Sequence, residues 1–241
     1  MVDACFAEPR LAAIYDVLDG SRADLGLYTA IASELGAKTI ADIGCGTGTF
    51  ACAMAARGLE VTGLDPAAAS VAIARAKPFA DQVHWIVGHV RELEGFDVDL
   101  LTMTGNVAQV FTSETAWAAT LCCCRAATRR DGMLVFETRE PSRQAWRSWT
   151  REQTAQTVVV PGLGRVDVWC EVTEVALPLI SFRWTYLFAE DEVTMHSDST
   201  LCFRERDEIV ATLSAAHFTV IDIRDAPDRP GAEMIFLAQA S

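Results

Sequence analysis

Positive charge is scarce in this 241-residue chain: 20 Lys and Arg stand against 33 Asp and Glu, for a formal charge of −13. Phosphate backbones and anionic lipid surfaces reward clustered Lys and Arg, so neither a nucleic acid nor a membrane partner is expected. The longest basic cluster, Arg125 to Arg130, closes a predicted helix, where cations complement the helix dipole without any ligand. No run approaches the ~20 apolar residues of a membrane span, and Met1 to Arg10 has no apolar stretch behind a basic start, so no secretory signal is expected. Eight cysteines occur without a CxxC pair, three of them consecutive at Cys122 to Cys124, which suits neither a disulfide framework nor a zinc site. His84, His89, His196 and His217 are scattered without ligand spacing, and no paired aspartates suggest a magnesium site. A metal-independent protein of the reducing cytoplasm is the expectation; oligomeric state is not readable.

What is present is apolar substance: 51% hydrophobic residues with 22% charged, enough for a sizeable core in one domain with an elaboration. Leu11 to Leu18 and Ala23 to Leu35 read as two helices. Thr39 to Ile43 is then a short apolar strand, Phe50 to Ala56 a helix, Leu59 to Leu64 a strand, Ala67 to Lys77 a helix before Pro78, and Val83 to Val87 a third strand. Val98 to Met103, a helix over Ser113 to Thr128, and Met133 to Thr138 behind an Asp131-Gly132 turn complete five alternating units. Such alternation predicts parallel strands joined by helical crossovers.

After Pro141 the rhythm changes. Gln156 to Val160, Val166 to Ala176, Ile180 to Ala189 and Val193 to Phe203 are rich in β-branched and aromatic residues without helical breaks, which predicts a small antiparallel sheet. Arg206 to Ala216 returns to helix, and Thr219 to Arg224 with Met234 to Ala238 forms a closing hairpin. The expected organisation is one domain over 1–241: N-terminal lid helices (1–36), a cofactor-binding core (37–140), the inserted sheet (141–204), and a final helix and hairpin (205–241).

The informative stretch is Asp42-Ile43-Gly44-Cys45-Gly46-Thr47-Gly48, glycines at alternate positions between a strand and a helix. Glycine permits a sharp turn and lets a ligand come close where a Cβ would collide, and in open α/β sheets ligands bind over such strand ends. Asp65, in Gly63-Leu64-Asp65-Pro66, ends the second strand, where a carboxylate can accept hydrogen bonds from both ribose hydroxyls of an adenosine. The dinucleotide fingerprint G-x-G-x-x-G requires glycine where Thr49 stands, and the third glycine falls one place early at Gly48, so pyrophosphate binding is disfavoured.

The turn and the Gly-Leu-Asp-Pro that follows it closely resemble the class I S-adenosylmethionine (SAM)-dependent methyltransferases, and the resemblance extends over most of the chain. It implies an α/β fold: a Rossmann-like seven-stranded, mostly parallel sheet with helices on both faces, plus the small antiparallel sheet near the active-site mouth. It further implies SAM as cofactor, S-adenosylhomocysteine as product, and a small-molecule acceptor. The turn residues Gly44, Cys45, Gly46 and Gly48 would cradle the cofactor, Asp42 would reach its methionine amino group through water or only stabilise the turn, and Asp65 with Pro66 would take the ribose. Gly88-His89-Val90 stands where the family contacts adenine, although His89 replaces the usual acidic residue, and it is either an adenine contact or a plain loop histidine. Thr104-Gly105-Asn106 stands at the methionine- and acceptor-facing position. Phe50 flanks the cofactor or enters the core. Tyr15 is a lid contact or a core aromatic, and Arg10 and Arg22 are candidates for the methionine carboxylate or plain surface cations.

On the acceptor side, Trp146 and Trp149 on a predicted helix, Trp184 on the inserted sheet, and Arg139 are candidate substrate contacts, with ordinary aromatic packing as the alternative for each tryptophan. A methyl sulfonium carries a good leaving group, so alignment does most of the work and a general base is optional. His196 is the first candidate base and Tyr186 the second, with Glu137 and Arg139 behind them. Nitrogen is slightly favoured over oxygen or carbon as acceptor. Two alternatives share the same cofactor motifs: a SAM-consuming enzyme with a different outcome, such as cyclisation, and a non-catalytic SAM-binding protein.

Overall fold

Three helices precede the first strand: α1 (Ala4–Ala7), α2 (Pro9–Asp19) and α3 (Leu25–Glu34). The computed structural model describes residues 2–20, 22 and 24–241. The alternating half then runs β1 (Thr39–Ile43), α4 (Thr49–Ala55), β2 (Glu60–Asp65), α5 (Ala68–Ala74), β3 (Val83–Val87), β4 (Val98–Met103), α6 (Glu114–Ala127) and β5 (Thr128–Arg139). Next come α7 (Arg151–Thr154), β6 (Gln156–Val160), β7 (Gly164–Ala176), β8 (Leu179–Phe188) and β9 (Thr194–Cys202), and the chain closes with α8 (Arg206–Ala215), β10 (Phe218–Asp225) and β11 (Glu233–Ala240).

The main sheet has seven strands in the order β10-β11-β5-β4-β1-β2-β3, parallel from β5 to β3, with β11 antiparallel to both neighbours. Parallel strands covered on both faces need continuous apolar runs, and β1, β2 and β4 are buried almost throughout. One face packs on α6 and α8 through Trp117, Leu121, Ile209 and Leu213. The other packs on α3 and α4 through Tyr28, Ile31, Phe50 and Met54. Ser113 caps α6 by accepting the Ala116 N–H at 3.1 Å, which explains why that helix starts where it does.

The second sheet, β6-β7-β8-β9, is antiparallel throughout. Its inner face buries Val166, Val168, Tyr186 and Phe188 against Leu11 and Ile14 of α2. The N-terminal helices therefore lie between the two sheets, tied to β9 by the Cys5 N–H donated to Ser197 Oγ (2.9 Å) and the Ser199 hydroxyl donated to Asp3 (2.6 Å).

Two local expectations are corrected. The turn expected at Asp131-Gly132 lies inside β5, which is unbroken from Thr128 to Arg139. Asp131 does take a positive φ of 62°, but the pairing jumps from Val98↔Thr128 to Leu100↔Met133, so the same residue chemistry makes a bulge in place of a turn. Trp146 and Trp149 do not share a regular helix: Pro141–Arg143 and Ala145–Ser148 are separate 3-10 turns, split by Gln144 in the left-handed region.

Candidate active site

Between Ile43 and Thr49 the chain reverses from β1 into α4, and Gly44, Gly46 and Gly48 take positive φ values of 69°, 52° and 77°. A Cβ on Gly44 would lie 2.5 Å from Val107 Cγ2, and one on Gly48 would lie 2.5 Å from Trp85 Cη2, so the protein's own side chains fill those two places. A Cβ on Gly46 would meet nothing within 4 Å. Of the three glycines, Gly46 is the one whose missing side chain leaves the backbone open to a ligand.

Asp65 braces this turn. Its Oδ2 accepts the Gly46 N–H at 2.9 Å and its Oδ1 the Ala67 N–H at 2.7 Å. Burial raises its pKa above the usual carboxylate range, opposed by those two N–H groups and by the charge of His89. A carboxylate has about four lone-pair positions, so two bonds leave acceptor capacity for ligand hydroxyls.

Asp42, at the end of β1, is buried; its Oδ1 accepts the Thr102 hydroxyl at 2.8 Å, while Oδ2 has no partner among the described residues. Burial pushes its carboxyl up to about 7, against the Thr102 bond and the nearby Arg22 charge. Past β4, Asn106 donates its backbone N–H to Glu137 Oε1 (2.7 Å) and its Nδ2 to Glu233 Oε1 (3.0 Å). Burial and the neighbouring Glu233 charge push Glu137 up to about 7.

Asp42 Oδ2, Asn106 Oδ1 and Glu137 Oε2 are thus unpartnered buried acceptors at the carboxyl ends of β1, β4 and β5. A buried polar atom left unsatisfied costs about 1–3 kcal/mol, which a ligand donating hydrogen bonds there would offset. A ligand with a cationic amine and vicinal hydroxyls fits this set of acceptors.

Comparison with known proteins bears on the fold. Residues 40–132 match the family model described as a methyltransferase domain. A stretch of 105 residues is 36% identical to a protein of Geobacillus sp. (strain WCH70) named as a putative methyltransferase, and it spans 42% of this chain and 42% of that relative. A SAM-dependent methyltransferase from Clostridium acetobutylicum superimposes with a TM-score of 0.76 at 13% identity, covering 96% of this chain and 98% of the other. SAM-bound CalS10, an amino pentose methyltransferase from Micromonospora echinaspora, gives 0.70 at 20% identity over 95% and 97%. The chain thus has the fold of the SAM-dependent methyltransferases, and residues 40–132 are similar to a methyltransferase domain.

Around the glycine turn the other expected residues fall into two groups. Thr104 and Asn106 are buried at the end of β4, and Gly105 is open like Gly46, with a φ of 76° and nothing within 4 Å of where a Cβ would stand. Gly88 donates its N–H to the Asp65 carbonyl (3.1 Å), which brings Pro66, His89 and Val90 to the same strand ends. His89 is exposed and Val90 packs on the core. By contrast, Phe50 is buried edge-on to Tyr28 at 6.2 Å and belongs to the core. Cys45 is buried, and burial raises its thiol pKa well above the usual value.

The α2 segment, expected as part of a lid, is tied to the turn. Asp16 of α2 accepts the Thr47 hydroxyl at 2.5 Å and pairs with Lys77 at 2.7 Å, and Lys77 also donates to Thr49 (2.8 Å). Tyr15, one residue before, packs tilted against Phe6 with ring centroids 5.3 Å apart, and burial raises its phenol pKa. Arg10 is committed elsewhere, to both oxygens of Asp191 and to the Phe188 ring at 3.6 Å, whereas Arg22 pairs with Asp24 at 2.8 Å and still acts on Asp42.

His196 is the main misplacement. The register pairs it with Thr185 while Tyr186 pairs with Met195, and successive residues of a strand alternate faces. Tyr186 therefore lies on the buried face against α2, its phenol pKa raised by burial, while His196 is exposed on the opposite face beside Asp198. Trp146 packs edge-on to Phe203 and Trp149 to Phe182, each at 4.7 Å, and Trp184 bridges the two clusters of the inserted sheet. Trp149 also lies 5.5 Å from the Arg139 guanidinium. Gln109 and Glu233, which hold Arg139 and Asn106, carry no motif that singles them out in the sequence; the buried-strand run ending in Leu-Val-Phe-Glu is the one local hint of an acid cluster.

Proposed function

We propose that this chain binds SAM over the β1 and β2 ends and transfers its methyl group to a small-molecule acceptor, nitrogen being favoured over oxygen or carbon. The observation that carries the reading is Gly46, open on its Cβ side and bonded to the Asp65 carboxylate, next to the unpartnered Oδ2 of Asp42. In this reading Asp65 receives the ribose hydroxyls, Asp42 the cationic amino group, and the strip from Gly88 to Val90 the adenine. Thr104, Gly105 and Asn106 lie between methionine and acceptor, and Tyr15 covers the cofactor from the lid.

SAM supplies an electrophilic methyl group whose leaving sulfur needs no acid. The residues of this chain have the remaining tasks: to exclude water with α2 and the inserted sheet and to hold the acceptor in line, a contribution that alone can be worth about 7–11 kcal/mol. Likeness to a sugar N-methyltransferase and a glycopeptide N-methyltransferase supports nitrogen as acceptor atom.

The test is product identification after incubation with SAM and a panel of amines, phenols and alcohols, each with and without a carboxylate or phosphate group. S-adenosylhomocysteine with a methylated amine is the expected result. Methylthioadenosine, or tight SAM binding without turnover across the panel, would reject methyl transfer.

A further inference from the structure

Among the described residues, Arg139 has no ion-pair partner. It ends β5, and its Nη1 donates to the neutral side chain of Gln109 at 2.9 Å, which is itself anchored by donating Nε2 to the Cys202 carbonyl of β9 at 3.3 Å. The nearby acid Glu233 is already engaged by Asn106 and, at 3.1 Å, by Arg229. Trp149 offers its ring to the guanidinium at 5.5 Å.

A guanidinium in such surroundings is costly, since a partly buried charge needs a partner. Burial lowers its pKa below the usual arginine range, against the pull of Glu233, yet arginine does not surrender its proton in proteins. Charge therefore persists, and Gln109 fixes its direction while using a single donor. A planar fork held this way matches a carboxylate or phosphate through two parallel bonds.

The sheet order assigns that anion to the acceptor. Asp65 and the glycine turn occupy β2 and β1, while β5 lies on the far side of β4 from both. The cofactor's own carboxylate has a separate candidate cation in Arg22, which pairs with Asp19 and Asp24 and whose charge also acts on Asp42 at the end of β1. We infer that the acceptor carries an anionic oxygen group, a carboxylate or phosphate, which Arg139 receives against the face of Trp149. This rests on the reading that SAM fills the β1 and β2 ends. It makes Arg139 a specificity-determining residue for an anionic acceptor and disfavours uncharged sugars and hydrocarbons.

The experiment uses the full chain saturated with S-adenosylhomocysteine and titrates acetate, benzoate and inorganic phosphate, with acetamide and benzamide as neutral counterparts, followed by ligand-observed NMR. At least one anion should bind, tenfold or more tighter than its amide. Arg139→Gln should remove that binding and Arg139→Lys should retain a weakened part of it, both with unchanged affinity for S-adenosylhomocysteine. No anion binding, equal binding of amides, or full retention in Arg139→Gln would overturn the inference. So would a matching loss of S-adenosylhomocysteine affinity in that variant, which would hand Arg139 to the cofactor. Failure of the unmodified chain to bind S-adenosylhomocysteine, by contrast, would strike the underlying SAM reading, and anion binding to the cofactor-free chain that Arg139→Gln abolishes would still support the Arg139 anion site.

Discussion

The Asp65 carboxylate and the Gly46 backbone N–H are joined by a 2.9 Å hydrogen bond, so the residue assigned to the ribose also shapes the turn assigned to the cofactor. Asp65→Ala should therefore cost stability as well as affinity: on the order of 2 kcal/mol for two bonds to a buried carboxylate, together with at least a tenfold loss of SAM affinity. Urea unfolding and calorimetry read the two effects separately, and an unchanged SAM affinity would reject the ribose assignment.

The glycines of the turn should separate under substitution. Gly48→Ala forces a Cβ into Trp85 and Ala74 and should cost about 1–3 kcal/mol from overpacking, beyond its backbone strain. Gly46→Ala meets open space and should cost only the left-handed strain of about 1–2 kcal/mol, yet lose SAM binding tenfold or more. Equal behaviour of the two variants in unfolding and binding would contradict the assignment of Gly46 as the ligand-facing position.

Glu137 predicts a pH dependence. Its carboxyl is pushed up to about 7 by burial and by Glu233, so the folded state holds a proton that the unfolded chain releases near its ordinary value. The stability it contributes is full below about pH 4.5 and falls as pH rises to about 7, then levels. Glu137→Gln should remove that slope, stabilising the variant relative to the parent at pH 8 compared with pH 4.5 by on the order of 3 kcal/mol. Parallel stability curves for the two proteins, measured without cofactor, would show that the carboxyl titrates normally.

The Asp16–Lys77 pair is partly exposed, with side chains 39% and 21% accessible, so breaking it should change stability by less than about 1 kcal/mol. Its position on the lid gives it a kinetic role. Lys77→Met should speed SAM dissociation several-fold in stopped-flow fluorescence while leaving the melting temperature nearly unmoved; an unchanged dissociation rate would mean the latch does not gate the site.

His196 stands on the solvent face of β9. His196→Ala should leave kcat within about twofold of the parent and its pH profile unshifted once an acceptor is in hand. A loss of about a hundredfold, the lower end of what a general base contributes, would restore it as the base.

Much of the molecule was legible in the residues themselves. Five parallel strands with helices after the first, second and fourth, the break in rhythm at Pro141 and the closing hairpin all follow from local periodicity and turn chemistry, because buried parallel strands need unbroken apolar runs and antiparallel ones tolerate short turns. Even the error at Asp131 was local in kind, since a positive φ serves a bulge as readily as a turn.

The one-dimensional pattern could not carry the facing of side chains drawn from distant segments. Glycines at 44, 46 and 48 look equivalent in the chain, and only Val107 and Trp85, arriving from other elements, make two of them packing positions and leave one open. His196 and Tyr186 both read as residues of a mouth-side sheet, and a register with His196 opposite Thr185 sent them to opposite faces. Likewise Arg139 became notable once Gln109, Trp149 and Glu233 converged on it without any of them neutralising it. Sequence determined that this chain would build a glycine turn over parallel strand ends, since that depends on backbone freedom and hydrophobic period. Which side chains face that turn was decided by tertiary packing, because contact between residues as distant in the chain as Asn106 and Glu233, 127 positions apart, is set by how the layers dock.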